Sequence, residues 1–200
     1  MQLFIFETIF VVFLPISLMI LSPQVYVFRH LIGIAILAYF FLMRRHFSLP
    51  PLVTQLTIPP LKHWIETAVI TLILSLSLII INHYYPESVR QMVQSLFSHD
   101  KKLLVLISYS LLSVPLQEII FRWLYLRRLQ LLRLHPAFPI IWSSIVFSSV
   151  HFPFHSPLMI IGTFILGLWW SYSTIKQQSI IPVSISHAVL GALILLLALF

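Results

Sequence analysis

The sequence predicts an all-α fold, a polytopic membrane bundle of about seven transmembrane helices. Of its 200 residues, 60% are hydrophobic and only 8% are charged, whereas soluble domains carry about 25% charged residues. Apolar runs approaching the roughly 20 residues that a membrane span needs recur along the chain. Basic pairs close several of these runs, as at Arg44–Arg45 and Arg127–Arg128. We therefore predict an integral membrane protein.

Seven apolar runs account for the predicted spans. They cover residues 3–21, 27–43, 64–81, 103–126, 140–151, 158–174 and 180–200. A proline-rich loop, 46–63, separates the second run from the third. A polar loop, 82–100, separates the third from the fourth and includes a predicted short amphipathic helix at 87–97. The helix of the fourth run is predicted to continue to about residue 134.

The formal net charge of +7 would suggest nucleic-acid binding in a soluble protein. Here the basic residues flank apolar runs, as Lys101 and Lys102 do, which is typical of contact with anionic lipid headgroups and of topology determination. We therefore expect membrane lipids as partners and no nucleic acid. The chain contains no cysteine, which excludes a thiolate nucleophile and a Cys-ligated metal.

Three groups of polar residues fall in or near the apolar runs of the second half. They are Gln117 and Glu118 with Arg122, then Phe147 with His151, and finally His187. Burying an unpaired charge or imidazole in hydrocarbon costs several kcal/mol. These side chains are therefore expected to face one another inside the bundle, where two histidines and a glutamate from three helices can meet in one polar pocket.

Each of these residues also has a structural interpretation. Glu118 precedes Arg122 by four positions, which is the favoured orientation for an ion pair on one helix face. His151 lies near a predicted helix end, where it could cap the helix or reach the interface. His187 follows Ser186 and could hydrogen-bond within the bundle. The order of the three groups along the chain favours the functional interpretation.

This order resembles the pattern of a known family. The sequence reads Gln117-Glu118-Ile-Ile-Phe-Arg122, then Phe147-Ser-Ser-Val-His151, then His187-Ala-Val-Leu-Gly191. Over about residues 113–193 it resembles the CAAX-protease and bacteriocin-processing (CPBP, or Abi) intramembrane proteases. Their membrane helices carry Glu-Glu-x-x-x-Arg, Phe-x-x-x-His and His-x-x-x-Asn or Asp. The resemblance divides the chain into N-terminal membrane helices without a recognisable motif, 1–102, and a CPBP-like protease core, 103–200.

The resemblance implies an intramembrane endopeptidase that cleaves a membrane-associated or lipidated protein near its C-terminus. In this family the first glutamate and the histidine of the second motif activate a water, and the last histidine and the Asn or Asp stabilise the oxyanion. The residues that it assigns to catalysis here are Glu118, His151, His187 and Gln117, with Arg122 and Phe147 supporting the site. Glutamate with two histidines is also a legitimate ligand set for catalytic zinc, so zinc stays open as a cofactor.

Two positions depart from the family pattern. Gln117 stands where the first glutamate is expected, and an amide cannot take a proton from water at neutral pH. Gly191 stands where Asn or Asp is expected. Adjacent residues point about 100° apart on an α-helix. Glu118 is therefore expected to face Arg122 rather than the pocket, unless a kink at Pro115 turns it inward.

These departures leave other hypotheses beside the peptidase. The main alternative is a catalytically impaired pseudo-protease that binds a hydrophobic peptide or a partner in the membrane. A transporter would need a continuous polar path, and the other acids in the predicted spans, Glu7 and Glu66, lie near the starts of their spans. The peptidase is the leading hypothesis, with Glu118, or a metal-bound water, as its base.

Overall fold

The computed structural model describes residues 8–22, 28–43, 51–94 and 102–199. Every regular element in these ranges is helical, which confirms the all-α class there. The helices are α1, Thr8–Phe13 continuing as Leu14–Leu21; α2, Arg29–Met43; α3, Leu61–Tyr84; α4, Pro86–Gln94; α5, Lys102–Leu131; α6, Ala137–Ser149; α7, Pro157–Gln177; and α8, Ile181–Leu199. Short 3-10 turns cover Leu52–Gln55 and Phe152–Phe154.

Five of the described helices are long and apolar enough to cross a membrane. They are α3, α5, α6 with the turn that follows it, α7 and α8. Helix α2 is apolar but has only 15 residues, fewer than the roughly 20 that a span needs. Helix α1 is described only from Thr8, so the start of the first predicted span, with Glu7, lies outside the described residues. The predicted total of seven spans is therefore not confirmed.

Helix α3 is longer than the apolar run that predicted it. It begins at Leu61, directly after Pro60, and ends at Tyr84. A helix can start at prolines because their fixed φ suits the first turn and their missing N–H has no intrahelical partner there. His63, predicted in the preceding loop, lies in the first turn, and Asn82, predicted in the following loop, is helical. Both loop boundaries were therefore predicted wrongly, by about one turn.

The predicted amphipathic helix is present as α4, which is described from Pro86 to Gln94. Its buried side chains Val89 and Val93 lie on the face that packs against α8. The residues that follow α4 lie outside the described ranges. So do the predicted flanking charges Arg44, Arg45 and Lys101.

Helix α5 carries the first motif and is irregular in two places. Its turns widen to π-helix over Tyr109–Ser113 and Ile119–Tyr125, on either side of a short α-helical segment, Val114–Glu118. Pro115 lies in the first turn of that segment, and the wide turn before it accommodates the missing N–H of proline. The helix ends at Leu131, short of its predicted end. Widened turns of this kind occur frequently at functional sites.

Buried polar contacts tie α3, α7 and α8 together. Ser186 Oγ accepts a hydrogen bond from Trp170 Nε1 at 3.2 Å and lies 2.8 Å from Thr71 Oγ1. Gln177 Nε2 donates to Thr67 Oγ1 at 3.0 Å. Because buried polar groups are costly when they lack partners, these contacts fix the register of the three helices. They also hold the indole of Trp170 in place.

The described part of the proline-rich segment before α3 is attached to the turn between α7 and α8. The backbone N–H of Ile180 donates to the Gln55 carbonyl at 3.0 Å, and Ser179 Oγ donates to the Thr57 carbonyl at 2.7 Å. Arg127 Nη2 donates to Gln55 Oε1 at 2.7 Å. Arg127 is therefore engaged within the protein, where the sequence predicted contact with lipid headgroups.

Candidate active site

A cavity of about 170 Å³ lies between the N-terminal helices and the C-terminal bundle. Most of the side chains that line it are aliphatic or aromatic. Its polar lining includes Gln117 from α5, His151 from the end of α6 and His187 from α8. Each of the three motifs predicted from the sequence therefore contributes a polar side chain to one cavity.

His187 is held on one side by a carboxylate and on one face by an indole. It is 3% exposed, its Nδ1–H donates to Glu118 Oε1 at 2.7 Å, and its ring stacks on Trp170 with the centroids 4.4 Å apart. A carboxylate can only accept, so the proton of the neutral imidazole is on Nδ1 and Nε2 keeps its lone pair. Because His187 lines the cavity and Glu118 does not, Nε2 is the nitrogen available to a ligand there.

His151 follows the last turn of α6. Its Nδ1–H donates to the Phe147 carbonyl at 3.1 Å, and its ring stacks near Phe154 at a centroid distance of 5.9 Å. A carbonyl also can only accept, so this imidazole too has its proton on Nδ1 and a lone pair on Nε2. The cavity is thus lined by two imidazoles in the same tautomer.

Phe147 lies between the two histidines. Its ring is fully buried and meets His151 at 5.2 Å and His187 at 5.6 Å, both in edge-to-face geometry. The guanidinium carbon of Arg122 lies 4.5 Å from the ring centroid, a cation–π distance. Phe147 therefore sets the spacing of the two imidazoles and supports the buried cation.

Glu118 and Arg122 form the predicted ion pair. Both side chains are fully buried, and Arg122 Nε lies 3.5 Å from Glu118 Oε2. Neither that oxygen nor any guanidinium nitrogen of Arg122 has a hydrogen-bond partner among the described residues. The two charges compensate each other in the interior, where a lone charge would be strongly unfavourable. Glu118 therefore lies between Arg122 and His187, behind the cavity wall.

Gln117 lies in the wall itself. Its Nε2 donates to Ser113 Oγ at 3.0 Å, and its Oε1 is buried without a partner in the described part of the chain. The expected divergence of adjacent side chains is therefore observed: the amide faces the cavity and the carboxylate of Glu118 faces away. Pro115 does not turn Glu118 into the cavity.

Residues 99–193 match a family model described as type II CAAX prenyl endopeptidase Rce1-like. This match, over just under half of the chain, supports the CAAX-protease (CPBP) family for the segment that carries the motifs. The matched residues include all three motifs and most of α5 to α8. No curated protein and no solved structure matches the chain. The family and the apolar helices together indicate an integral membrane protein of the CAAX-protease type.

The donor atoms of the candidate site do not fit a zinc ion. Among the residues that the structure describes, no group of three or more His, Asp or Glu side chains is placed to hold a metal. The oxygens of Glu118 face His187 and Arg122, and Nδ1 of His187 is engaged by Glu118.

Several lining residues of the cavity were not identified from the sequence. Tyr109 and Ser113 precede Gln117 at intervals of four, and this helical spacing was the available signal for both. Arg29 and His30 line the cavity from α2, in the half of the chain that carries no motif. The signal there was a charged residue just inside a predicted span.

Proposed function

We propose that this protein is an intramembrane endopeptidase that hydrolyses a peptide bond near the C-terminus of a membrane-associated or lipidated protein. The observation that carries the proposal is the 2.7 Å hydrogen bond from His187 to Glu118. It engages Nδ1 and leaves Nε2 to the cavity that His151 and Gln117 also line. A carboxylate behind an imidazole fixes its tautomer and stabilises its protonated form. The family match supports peptide hydrolysis.

His187 is the general base in this proposal. A water in the cavity attacks the scissile carbonyl while Nε2 of His187 removes a proton from that water. Glu118 stabilises the imidazolium that forms, as the buried carboxylate of a serine-protease triad does. The imidazolium then gives its proton to the leaving nitrogen as the C–N bond breaks, and the products are a carboxylic acid and an amine.

His151 and Gln117 position the water. Nε2 of His151 and Oε1 of Gln117 share the second water proton in a bifurcated hydrogen bond. This role does not require Gln117 to act as a base, so an amide at this position is compatible with turnover. Glu118, which the sequence suggested as the base, acts instead as a positioning residue through His187.

The cavity wall suits an apolar substrate segment. Met19 from α1, Ile36 from α2 and Ile194 from α8 are among its lining residues. Burial of a lipid chain or hydrophobic side chains against such a wall is favourable by about 25 cal/mol per Å². The proposal places the reaction in the plasma (inner) membrane of a prokaryote, with lipids and a membrane-associated protein or peptide substrate as partners.

The test is a cleavage assay with the full-length chain in lipid nanodiscs. The substrate is a fluorogenic peptide that ends in an S-farnesylated CAAX-type sequence, and the wild type is expected to cleave it. His187→Ala removes the base and is expected to lower kcat by at least about 10³-fold. The matched control is His83→Ala, which changes an exposed histidine at the end of α3 and is expected to stay within about twofold of wild type.

The possible outcomes separate the hypotheses. If the wild type binds the peptide without cleaving it, the peptidase hypothesis is refuted and the pseudo-protease hypothesis is supported. The family match does not favour the pseudo-protease. An active His187→Ala variant would remove His187 from the base role and leave the peptidase itself in place.

A further inference from the structure

The side chain of Tyr109 occupies the space beside Gly191 in the cavity wall. A Cβ built on Gly191 would overlap the hydroxyl and the ring of Tyr109. The phenol of α5 therefore lies directly against the backbone of α8, and glycine is the residue that leaves room for it. Both residues line the cavity. The space that a side chain at position 191 would fill is thus filled by a phenol from another helix.

This phenol lies beside the proposed base. The ring centroids of Tyr109 and His187 are 6.1 Å apart at 75°, an edge-to-face contact. Gly191 lies one turn of α8 beyond His187, so the phenol contacts the same face of α8 from which the imidazole projects. Tyr109 also begins the π-helical turn Tyr109–Ser113, which sets the direction of its side chain relative to Gln117.

The groups nearest the proposed reaction offer mainly lone pairs. Nε2 of His187, Nε2 of His151 and Oε1 of Gln117 are all acceptors in the geometry described above. Addition of water to a carbonyl puts negative charge on its oxygen, and that oxygen needs donors preorganised around it. A phenol carries its proton at neutral pH and can donate it in a hydrogen bond. Tyr109 therefore supplies a hydroxyl donor beside three atoms that can only accept.

We propose that Tyr109 is a catalytic residue whose hydroxyl donates a hydrogen bond to the oxyanion of the tetrahedral intermediate. This inference rests on the proposed function and gives that site its anion-stabilising group. The phenol keeps its proton throughout. The proton that moves is that of the attacking water, which passes to His187 and then to the leaving nitrogen.

The first test replaces Tyr109 by phenylalanine, which removes the hydroxyl and keeps the ring. In the nanodisc assay we expect kcat to fall by roughly 10²–10³-fold, as on loss of one oxyanion donor, with KM changed by less than about threefold because the donor acts in the transition state. The control is Tyr172→Phe, which changes an exposed tyrosine of α7 and is expected to leave kcat unchanged. An unchanged kcat in Tyr109→Phe overturns the proposal.

The second test exchanges the two side chains. Tyr109→Ala removes the phenol, and adding Gly191→Asn to it places an amide donor in the space that the phenol vacates. We expect the double variant to recover about tenfold or more of the kcat that Tyr109→Ala loses, because an amide N–H can also serve as an oxyanion donor. A double variant no faster than Tyr109→Ala, with the same thermal stability, counts against a shared role for this position.

A binding measurement separates this proposal from the proposed function. A phosphinate analogue of the reporter peptide carries anionic oxygens where the oxyanion would form, and a ketomethylene analogue does not. We expect Tyr109→Phe to weaken the phosphinate Kd by at least about tenfold, and to leave the ketomethylene Kd within about threefold. Equal phosphinate affinity in Tyr109→Phe and wild type overturns the proposal, whether or not any peptide is cleaved.

Discussion

The two histidines of the cavity have the same tautomer but different partners. Nδ1 of His187 donates to the Glu118 carboxylate at 2.7 Å, whereas Nδ1 of His151 donates to the Phe147 carbonyl at 3.1 Å. A carboxylate carries a full charge and a carbonyl only a dipole, so the hydrogen bond from His187 is the stronger of the two. This difference supports the proposed roles, which are proton transfer for His187 and orientation of the water for His151.

The packing around the two imidazoles also differs, and it holds His187 more rigidly than His151. His187 stacks on Trp170, whose indole is itself hydrogen-bonded to Ser186, so its position is fixed by packing on an interior turn of α8. His151 lies past the end of α6 and is only half-buried. A general base must accept its proton in one geometry, so its function depends on rigid packing. A side chain that only holds a water can adjust its position to the substrate.

The largest effect is expected from removing the charge behind His187. Glu118→Gln keeps the shape of the side chain, but it removes the carboxylate and allows an amide N–H to face Nδ1, which would reverse the tautomer. By analogy with the buried carboxylate of a triad, we expect kcat to fall by roughly 10³–10⁴-fold. The measurement is single-turnover cleavage in nanodiscs, with thermal unfolding recorded in parallel.

This variant also leaves the buried charge of Arg122 uncompensated, which can destabilise the fold. The double variant Glu118→Gln/Arg122→Met removes both charges and is expected to fold while remaining as slow as Glu118→Gln. Glu66→Gln is the control, because Glu66 pairs with Lys176 away from the cavity, and kcat should stay within about twofold. Wild-type kcat in the double variant would contradict a role for the carboxylate in catalysis.

A smaller loss is expected at the other histidine. His151→Ala removes a water acceptor but leaves His187 and Glu118 in place, so we expect kcat to fall by about 10²-fold. The comparison with His187→Ala, measured in the same assay, is the informative quantity. If His151→Ala loses more activity than His187→Ala, the roles assigned to the two imidazoles must be exchanged.

The helices of the second half could be predicted from the sequence because long apolar runs leave few alternatives to a membrane helix. Their ends were less accurate. The proline pair before Leu61 starts a helix, whereas a proline-rich segment predicts a loop. The π-helical turns of α5 depend on how that helix packs against its neighbours, and local sequence does not encode them in a readable form.

The candidate site was predictable in its membership more than in its geometry. The motif order predicted that Glu118, His151 and His187 meet in one pocket, and the spacing of Glu118 and Arg122 predicted their ion pair. In the structure Gln117, rather than Glu118, lines the cavity with the two histidines. The bond from Glu118 to His187 joins residues 69 positions apart on different helices, so no local pattern could reveal it. The contact of Tyr109 with Gly191 was hidden for the same reason.

A moderate gain is expected from changing the wall beside the two histidines. Gln117→Glu puts a carboxylate where the amide oxygen now lies, and a charged acceptor binds a water proton more strongly than an amide does. We expect kcat to rise by about tenfold at neutral pH, measured with the same farnesylated peptide. A loss of activity would indicate that the amide N–H groups of Gln117, rather than its oxygen, contribute to the reaction.

The smallest effect is expected from a chelator, and it bears on the assignment of the two imidazoles. If the water is activated by His187 with its carboxylate partner, then o-phenanthroline and EDTA should change kcat by less than about twofold, since no described group of ligands suits a metal.

If zinc activates the water, as a Glu and two His ligands would allow, chelation should abolish cleavage and added zinc should restore it. In that case Glu118 would have to leave His187 and Arg122 to reach the metal. His187→Ala and Glu118→Gln would then lose zinc content measured by mass spectrometry along with activity, whereas in the imidazole mechanism their metal content equals that of the wild type.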